Sequence, residues 1–186
     1  MNKIKSFLET KIFFDQYLFI SIALISIIGV FFLFSASQGN FETTIKQSLF
    51  VLLGLILMFA VSQPDPDFFK NNALIFMLFS IFLVLLTFLI GKEVNGAKRW
   101  LDLGFLTLQS SEIMKITLPL FLAAYLYNKP LPISLFHTFI TLALILFSAN
   151  IVRIQPDLGT SLVILVAGLY IFCLLYTSDA ADDDHC

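Results

Sequence analysis

An all-α polytopic membrane protein is the fold class that three observations predict for this chain of 186 residues. Hydrophobic residues make up 59% of it and charged residues 13%, with a mean hydropathy of +0.93. A soluble domain of this size, in which about half the residues are apolar, has no way to bury that much apolar surface. Apolar stretches close to the ~20 residues that a helix needs to cross the hydrocarbon core recur along the chain. They lack the alternation of lipid-facing strands, which argues against a barrel.

Six spans are predicted: Tyr17 to Ser35, Ile45 to Ser62, Ala73 to Ile90, Ser111 to Tyr127, Ile133 to Ile151, and Leu158 to Tyr176. The first follows "MNKIKSFLETK" and is closed by "FSAS". Its apolar run exceeds the ~7 to 15 residues of a secretory signal core, so an uncleaved helix is expected. The second ends at "QPDPD", where two prolines and two carboxylates stop a helix and solvate a loop. The third leads into "VNGAKRWLDLG", residues 94–104, a polar interruption richer in charge than a turn requires. The fourth opens on "LQSSEIMK" and contains Pro119. The fifth carries His137 near its start, and a solitary histidine there reads as an interfacial or hydrogen-bonded residue rather than a ligand. The sixth opens on "QPDLGTS".

Residues 1–16 are thus expected as a cytoplasmic amino-terminal segment and 17–176 as the membrane region. Residues 177–186, "TSDAADDDHC", form an acidic tail that reads as non-native, like translation of a cloning linker. Cys173 and Cys186 have no metal-ligand spacing and no evident disulfide partner. A net charge of −2 without a basic, aromatic-laced patch excludes a nucleic-acid partner. No metal motif, nucleophile triad, Walker loop or dinucleotide fingerprint is present, so no cofactor is identified.

With the amino terminus inside, the cytoplasmic segments hold Lys3, Lys5, Lys11, Lys70 and Lys129, and the outer segments hold Lys46, Lys92, Lys98, Arg99 and Arg153. The count is even, although the lysines before the first span favour an inside start. Without Lys92, Lys98 and Arg99 the bias would be clear, so the imbalance sits in the "VNGAKRWLDLG" loop. Two explanations compete. The cations meet an anionic group at the outer face, or they anchor the interface, with Trp100 at headgroup level and Lys98 and Arg99 on lipid phosphates.

Inside the membrane region, Glu112 and Lys115 share one face of the fourth helix. A charge in a span costs at least ~2.5 kcal/mol on insertion scales, so Lys115 needs a partner. Glu112 is one candidate. Asp157 is the other, since both helices start on the same side and a carboxylate is favoured at a helix amino terminus. Pro119 removes the hydrogen bond that the carbonyl of Lys115 would accept, opening the helix there. Gly159 would let helix backbones approach closely. A Lys115–Asp157 pair fits a catalytic cavity or a simple lock between helices.

These motifs, "FSAS", "NGAKRWLDLG", "QSSEIMK" and "QPDLGTS", resemble in order those of the SEDS family over residues 15–175, and the tetrad Trp100 to Leu103 resembles its elongation branch more than its division branch. One departure is Gln109-Ser110-Ser111-Glu112, where the family usually reads Gln-Pro-Ser-Glu; Ser110 is still expected to cap the helix. The resemblance implies the first part of a roughly ten-helix peptidoglycan glycosyltransferase. Such an enzyme polymerises lipid II at the outer face of the bacterial cytoplasmic membrane, alongside a class B penicillin-binding protein and other elongation proteins. It also implies Lys115 and Asp157 as a cavity ion pair, with Lys98, Arg99, Trp100, Gln109 and Glu112 as substrate-groove residues. The family's catalytic aspartate lies in a later outer loop, so no catalytic residue is assigned here and the chain is expected to be a truncated, inactive member. The leaving diphosphate can be neutralised by cationic side chains or by a divalent cation. Two other classes of function fit the same features: a flippase for lipid-linked precursors, or a scaffold that recruits the penicillin-binding partner. Transporters commonly show inverted repeats, and none is visible in these spans.

Overall fold

The computed structural model describes residues 15–94, 97–104, 107–127, 129–130 and 133–182. The expected cytoplasmic segment before Asp15, and the end of the acidic tail with Cys186, lie outside them. Among the described residues there are six helices: α1 (Gln16–Ala36), α2 (Phe41–Ser62), α3 (Pro66–Ile90), α4 (Ser110–Leu126), α5 (Leu135–Ile154) and α6 (Leu158–Asp182). Three short strands, β1 (Lys92–Val94), β2 (Ala97–Asp102) and β3 (Thr107–Gln109), connect α3 to α4. The chain forms two compact units, Met1–Asp65 and Pro66–Cys186.

The first unit is a helical hairpin. Asp15 caps α1 by accepting from the backbone N–H of Tyr17 at 2.9 Å and of Leu18 at 3.1 Å. Asn40 caps α2 through Thr43 N–H at 3.2 Å. Each cap satisfies donors that a helix start leaves free. Both helices are long and apolar enough to cross a membrane.

In the second unit, α3 begins at Pro66 rather than at Ala73. "QPDPD" therefore starts one helix as well as ending another: Pro66 lacks an N–H exactly where a helix has no use for one, and Asp67 favours the first turn. The twenty steps from Lys70 to Ile90 rise about 30 Å, the thickness of the hydrocarbon core. Lysines therefore stand at both ends of this span, with Lys70 paired to Asp67 at 2.6 Å and Lys92 paired to Asp102 at 3.2 Å.

Helices α1, α2, α3 and α5 are each long and apolar enough to cross a membrane. Helix α4 has 17 residues, about 26 Å, and spends its first turns on Ser110, Ser111, Glu112 and Lys115. It nonetheless holds the core together. Met114, Leu118 and Leu122 form its fully buried stripe, packed against Met77 and Val84 of α3, Ile145, Ala149 and Val152 of α5, and Ile164 of α6. Hydroxyls bond across the same seam: Thr87 and Ser110 at 2.9 Å, and Thr117 and Ser80 at 2.8 Å. Lipid offers no alternative partner to such groups, so each pair adds to helix association.

The expected close approach at Gly159 is not found, since a Cβ there would meet nothing within 4 Å. Gly168 fills that role. A Cβ on it would lie 2.7 Å from Cγ1 of Ile145, so α6 packs its backbone onto α5 one turn past Ile164.

The strands form an antiparallel sheet in the order β1-β2-β3, which helical periodicity does not predict. Lys92 pairs with Trp100 and Glu93 with Lys98, leaving Arg99 as the extra residue of a β-bulge. Trp100 then pairs with Gln109, Leu101 with Leu108, and Asp102 with Thr107. Ala97 and Leu101 are buried, and Arg99 between them is half-buried, the bulged residue at which the strand's alternation is interrupted.

Candidate functional site: a polar cluster at the hairpin end of the bundle

Three chain segments meet at the start of α6. The "QPD" turn between α5 and α6 places Asp157 before the first helical residue, where its Oδ1 accepts from the N–H of Thr160 at 3.2 Å. This is an N-cap, the role that aspartate fills well because its oxygen satisfies a free helix donor. Its Oδ2 accepts from Gln109 Nε2 at 2.7 Å. Arg99 Nη1 approaches Oδ1 at 3.8 Å. The Asp157 side chain is 9% exposed and that of Arg99 is 31% exposed.

Each partner is there for a local reason. The bulge in β2 keeps Arg99 on the bundle-facing side while the strand bends, which is how bulges re-aim side chains. Gln109 ends β3 and precedes α4, and its amide reaches across to Asp157, so it makes no cap bond to its own helix. Ser110 does not cap α4 as expected. It is already inside the helix, and its hydroxyl is engaged with Thr87.

The cross-helix pair Lys115–Asp157 is likewise replaced. Lys115 Nζ bonds Glu112 Oε1 at 2.7 Å, the intrahelical partner that the three-residue spacing also offered. A neighbour one turn away on the same helix needs no second helix to be positioned, and Asp157 is already taken by Gln109 and Arg99. Of the residues singled out from the sequence, Arg99, Gln109 and Asp157 converge. Trp100 lies beside them, paired with Gln109. Glu112 and Lys115 form a separate pair on α4. Lys98 is exposed on the opposite side of β2 and lines a cavity of about 390 Å³ with Glu93, Phe88, Ile154, Gln155 and Pro156.

Gln155 escaped sequence reasoning. It is 2% exposed, and its Nε2 donates to the carbonyl of Val84 at 3.0 Å, tying the α5–α6 turn to α3. A neutral amide carries no charge penalty in a span, so nothing flagged it; its place in the "QPDLG" motif was the available signal. His137, at the other end of the bundle, bonds Tyr125 at 2.8 Å, as a hydrogen-bonded histidine should.

The cluster is suited to hold an anion rather than to move a proton. Both carboxylate oxygens of Asp157 are occupied, whereas Nε of Arg99 is buried without a hydrogen-bond partner. A partly exposed guanidinium with an unused N–H can donate to phosphate oxygens. Asp157 supplies the counter-charge next to that guanidinium.

The hairpin has its own titration. The N–H of Gly104, donating to Oδ1 at 2.9 Å, and then the Lys92 ammonium hold Asp102 below the usual carboxylate range. The N–H can point there because Gly104 takes φ +84°. A carboxyl whose pKa is lowered by folding stabilises the fold above its ordinary value, and that contribution is lost as pH falls through the lowered one. Acidification below the ordinary value of 3.8 is therefore expected to loosen the hairpin. Trp100, the one tryptophan of the chain, gives the readout: its fluorescence should change on acidification, and Asp102→Asn should flatten that response.

Comparison with known proteins agrees with this architecture. Residues 15–181 match the FtsW, RodA and SpoVE cell cycle protein family. The chain is 32% identical to the peptidoglycan glycosyltransferase MrdB of Escherichia coli K12, over 88% of its own length and 44% of that protein. It is 34% identical to the peptidoglycan glycosyltransferase RodA of Treponema pallidum, over 82% of the chain and 36% of that protein. The chain thus spans less than half the length of these relatives. Among solved structures, RodA of Thermus thermophilus superposes with a TM-score of 0.73 at 28% identity, covering 88% of this chain and 58% of that one. A peptidoglycan synthase complex described as coordinating polymerization and crosslinking matches with a TM-score of 0.73 at 30% identity, covering 91% and 52%. The chain is a membrane-spanning member of the FtsW/RodA/SpoVE family.

Proposed function

We propose that these residues build the anion-holding side of the substrate groove in a peptidoglycan glycosyltransferase of the rod-elongation type, acting on lipid II. In this reading the hairpin end of the bundle faces the outside of the cytoplasmic membrane, the amino terminus is cytoplasmic, and a class B penicillin-binding protein works alongside.

One observation carries the reading: Arg99 is the bulged residue of β2, lies 3.8 Å from the Asp157 carboxylate, and keeps an unused buried donor. Glycosyl transfer breaks the bond between the anomeric carbon and the diphosphate as a sugar hydroxyl forms a new one. Negative charge then grows on the leaving group and a base takes the hydroxyl proton. Arg99 stabilises that growing charge, an effect that is large where water is excluded. Asp157, itself held by Gln109, orients the guanidinium. The carboxylates of Asp157 and Glu112 are engaged by other groups, so we assign the base to a part of the fold outside these residues.

The test is a chimera in which residues 15–176 replace the corresponding part of the Escherichia coli relative. In membranes containing that relative's penicillin-binding partner, it should convert lipid II into glycan strands. A folded chimera that makes no polymer, beside an active parent, overturns the reading.

A further inference from the structure

A second site lies on the hairpin, away from the Asp157 cluster. Along α3, Phe79, Leu83, Leu86 and Ile90 fall on one helix face, and with Leu108 of β3 and Ile113 of α4 they wall a groove of about 480 Å³. Its other lining residues include Lys92 and Asp102, the ion pair at the interfacial end of the span. The apolar wall thus runs from the middle of α3 to its carboxyl end and stops at one positive and one negative charge.

Three features make this more than a lipid-wetted surface. The pair is fixed: Asp102 Oδ1 is held by Gly104 N–H at 2.9 Å, so Oδ2 is directed at Lys92. It is reachable, with Lys92 58% and Asp102 41% exposed at the side chain. It also carries both signs at one point. An anionic headgroup that approaches Lys92 meets the Asp102 carboxylate as well, and so does the diphosphate of a polyprenyl carrier. A headgroup containing both a phosphate and a primary ammonium satisfies the two residues together, the phosphate on Lys92 and the ammonium donating to Asp102. Its acyl chain then follows the apolar wall toward Phe79.

We propose that this groove binds one glycerophospholipid with a zwitterionic phosphoethanolamine headgroup, at a site distinct from the Arg99–Asp157 cluster and independent of the transfer reaction. The bound lipid braces the hairpin against α3 at the level of the headgroups.

The experiment is native mass spectrometry of the purified, delipidated chain in detergent, offered equal amounts of phosphatidylethanolamine, phosphatidylglycerol and undecaprenyl phosphate with no variant needed. The expected result is one retained phosphatidylethanolamine, enriched roughly fivefold over either anionic lipid, the scale of two partly exposed ion pairs. Equal or preferred retention of phosphatidylglycerol or undecaprenyl phosphate overturns the proposal. Lys92→Gln with Asp102→Asn should abolish the preference. Leu86→Trp, which fills the groove and leaves the ion pair intact, should lower retention of phosphatidylethanolamine itself. If phosphatidylethanolamine is retained equally by all of these proteins, the lipid binds elsewhere and the site is refuted.

Discussion

Asp157→Ala is expected to lower lipid II polymerisation by the chimera about 100-fold, the scale on which one positioned transition-state donor acts. The substitution removes the acceptor of Gln109 at 2.7 Å and the counter-charge of Arg99 at 3.8 Å in one step. Arg99 then loses its fixed position and is free to swing toward headgroups. The fold weakens too, by about 3 kcal/mol, from a lost helix cap and a lost charge-assisted hydrogen bond. Little of that belongs to the ion pair, because a guanidinium 31% exposed is screened by solvent. Asp157→Asn separates the two effects. Asparagine keeps its single oxygen for the α6 cap, and its new amide donates to Gln109 once that side chain turns its Oε1 inward, so stability should be largely restored while activity stays reduced through loss of the charge that orients Arg99. Steady-state kinetics and unfolding of each variant check this, and full activity in Asp157→Asn would mean that the charge has no part in the reaction.

Gly168→Val is expected to carry the largest purely structural effect, about 1–3 kcal/mol of destabilisation. In lipid, helices gain nothing by hiding apolar surface from hydrocarbon, so close backbone approach and van der Waals fit carry the association. A single Cβ at Gly168 would already sit 2.7 Å from Ile145 Cγ1 and 3.1 Å from its Cγ2. The side chain of Ile145 is 1% exposed and packed into the core cluster, so it cannot step aside. The collision is specific to that pair. Truncating the partner should relieve it: in an Ile145→Ala background, Gly168→Ala should cost much less than it does alone. Unfolding measurements on the four proteins of that cycle give the coupling, and strictly additive values would show that the two positions do not touch.

The helical part of the fold was legible because the hydrocarbon core imposes one length and one polarity on every span, and Tyr17 to Ser35 or Ile45 to Ser62 satisfy both without help from tertiary contacts. The hairpin was not. Strands of three to six residues leave no periodicity at the scale of a span, although Asn95-Gly96 between Val94 and Ala97 is a strong local hairpin signal; those two residues lie outside the described ones. The site was legible as a set of residues and less so as a set of partners. Spacing along one helix suggests that Lys115 reaches Glu112 and permits Asp157, but the choice depends on who else reaches Asp157. Gln109 does so from the end of a strand, and Arg99 does so because a bulge shifts the register. Neither follows from helical periodicity. Gly159 illustrates the same limit of sequence: its place beside the motif says nothing of what faces it, whereas Gly168 lies opposite Ile145 only once α5 and α6 are packed.

The lysines at the two ends of α3 set a gauge. Sliding the helix along the membrane normal would drag one ammonium into acyl chains while lifting the other into water, so the span resists vertical displacement in both directions. A thinner bilayer is then met by leaning rather than by sinking. Because the β-sheet follows directly after Ile90, a leaning α3 carries Arg99 with it, and the local thickness of the lipid sheet becomes a quantity to which the geometry of the polar cluster responds.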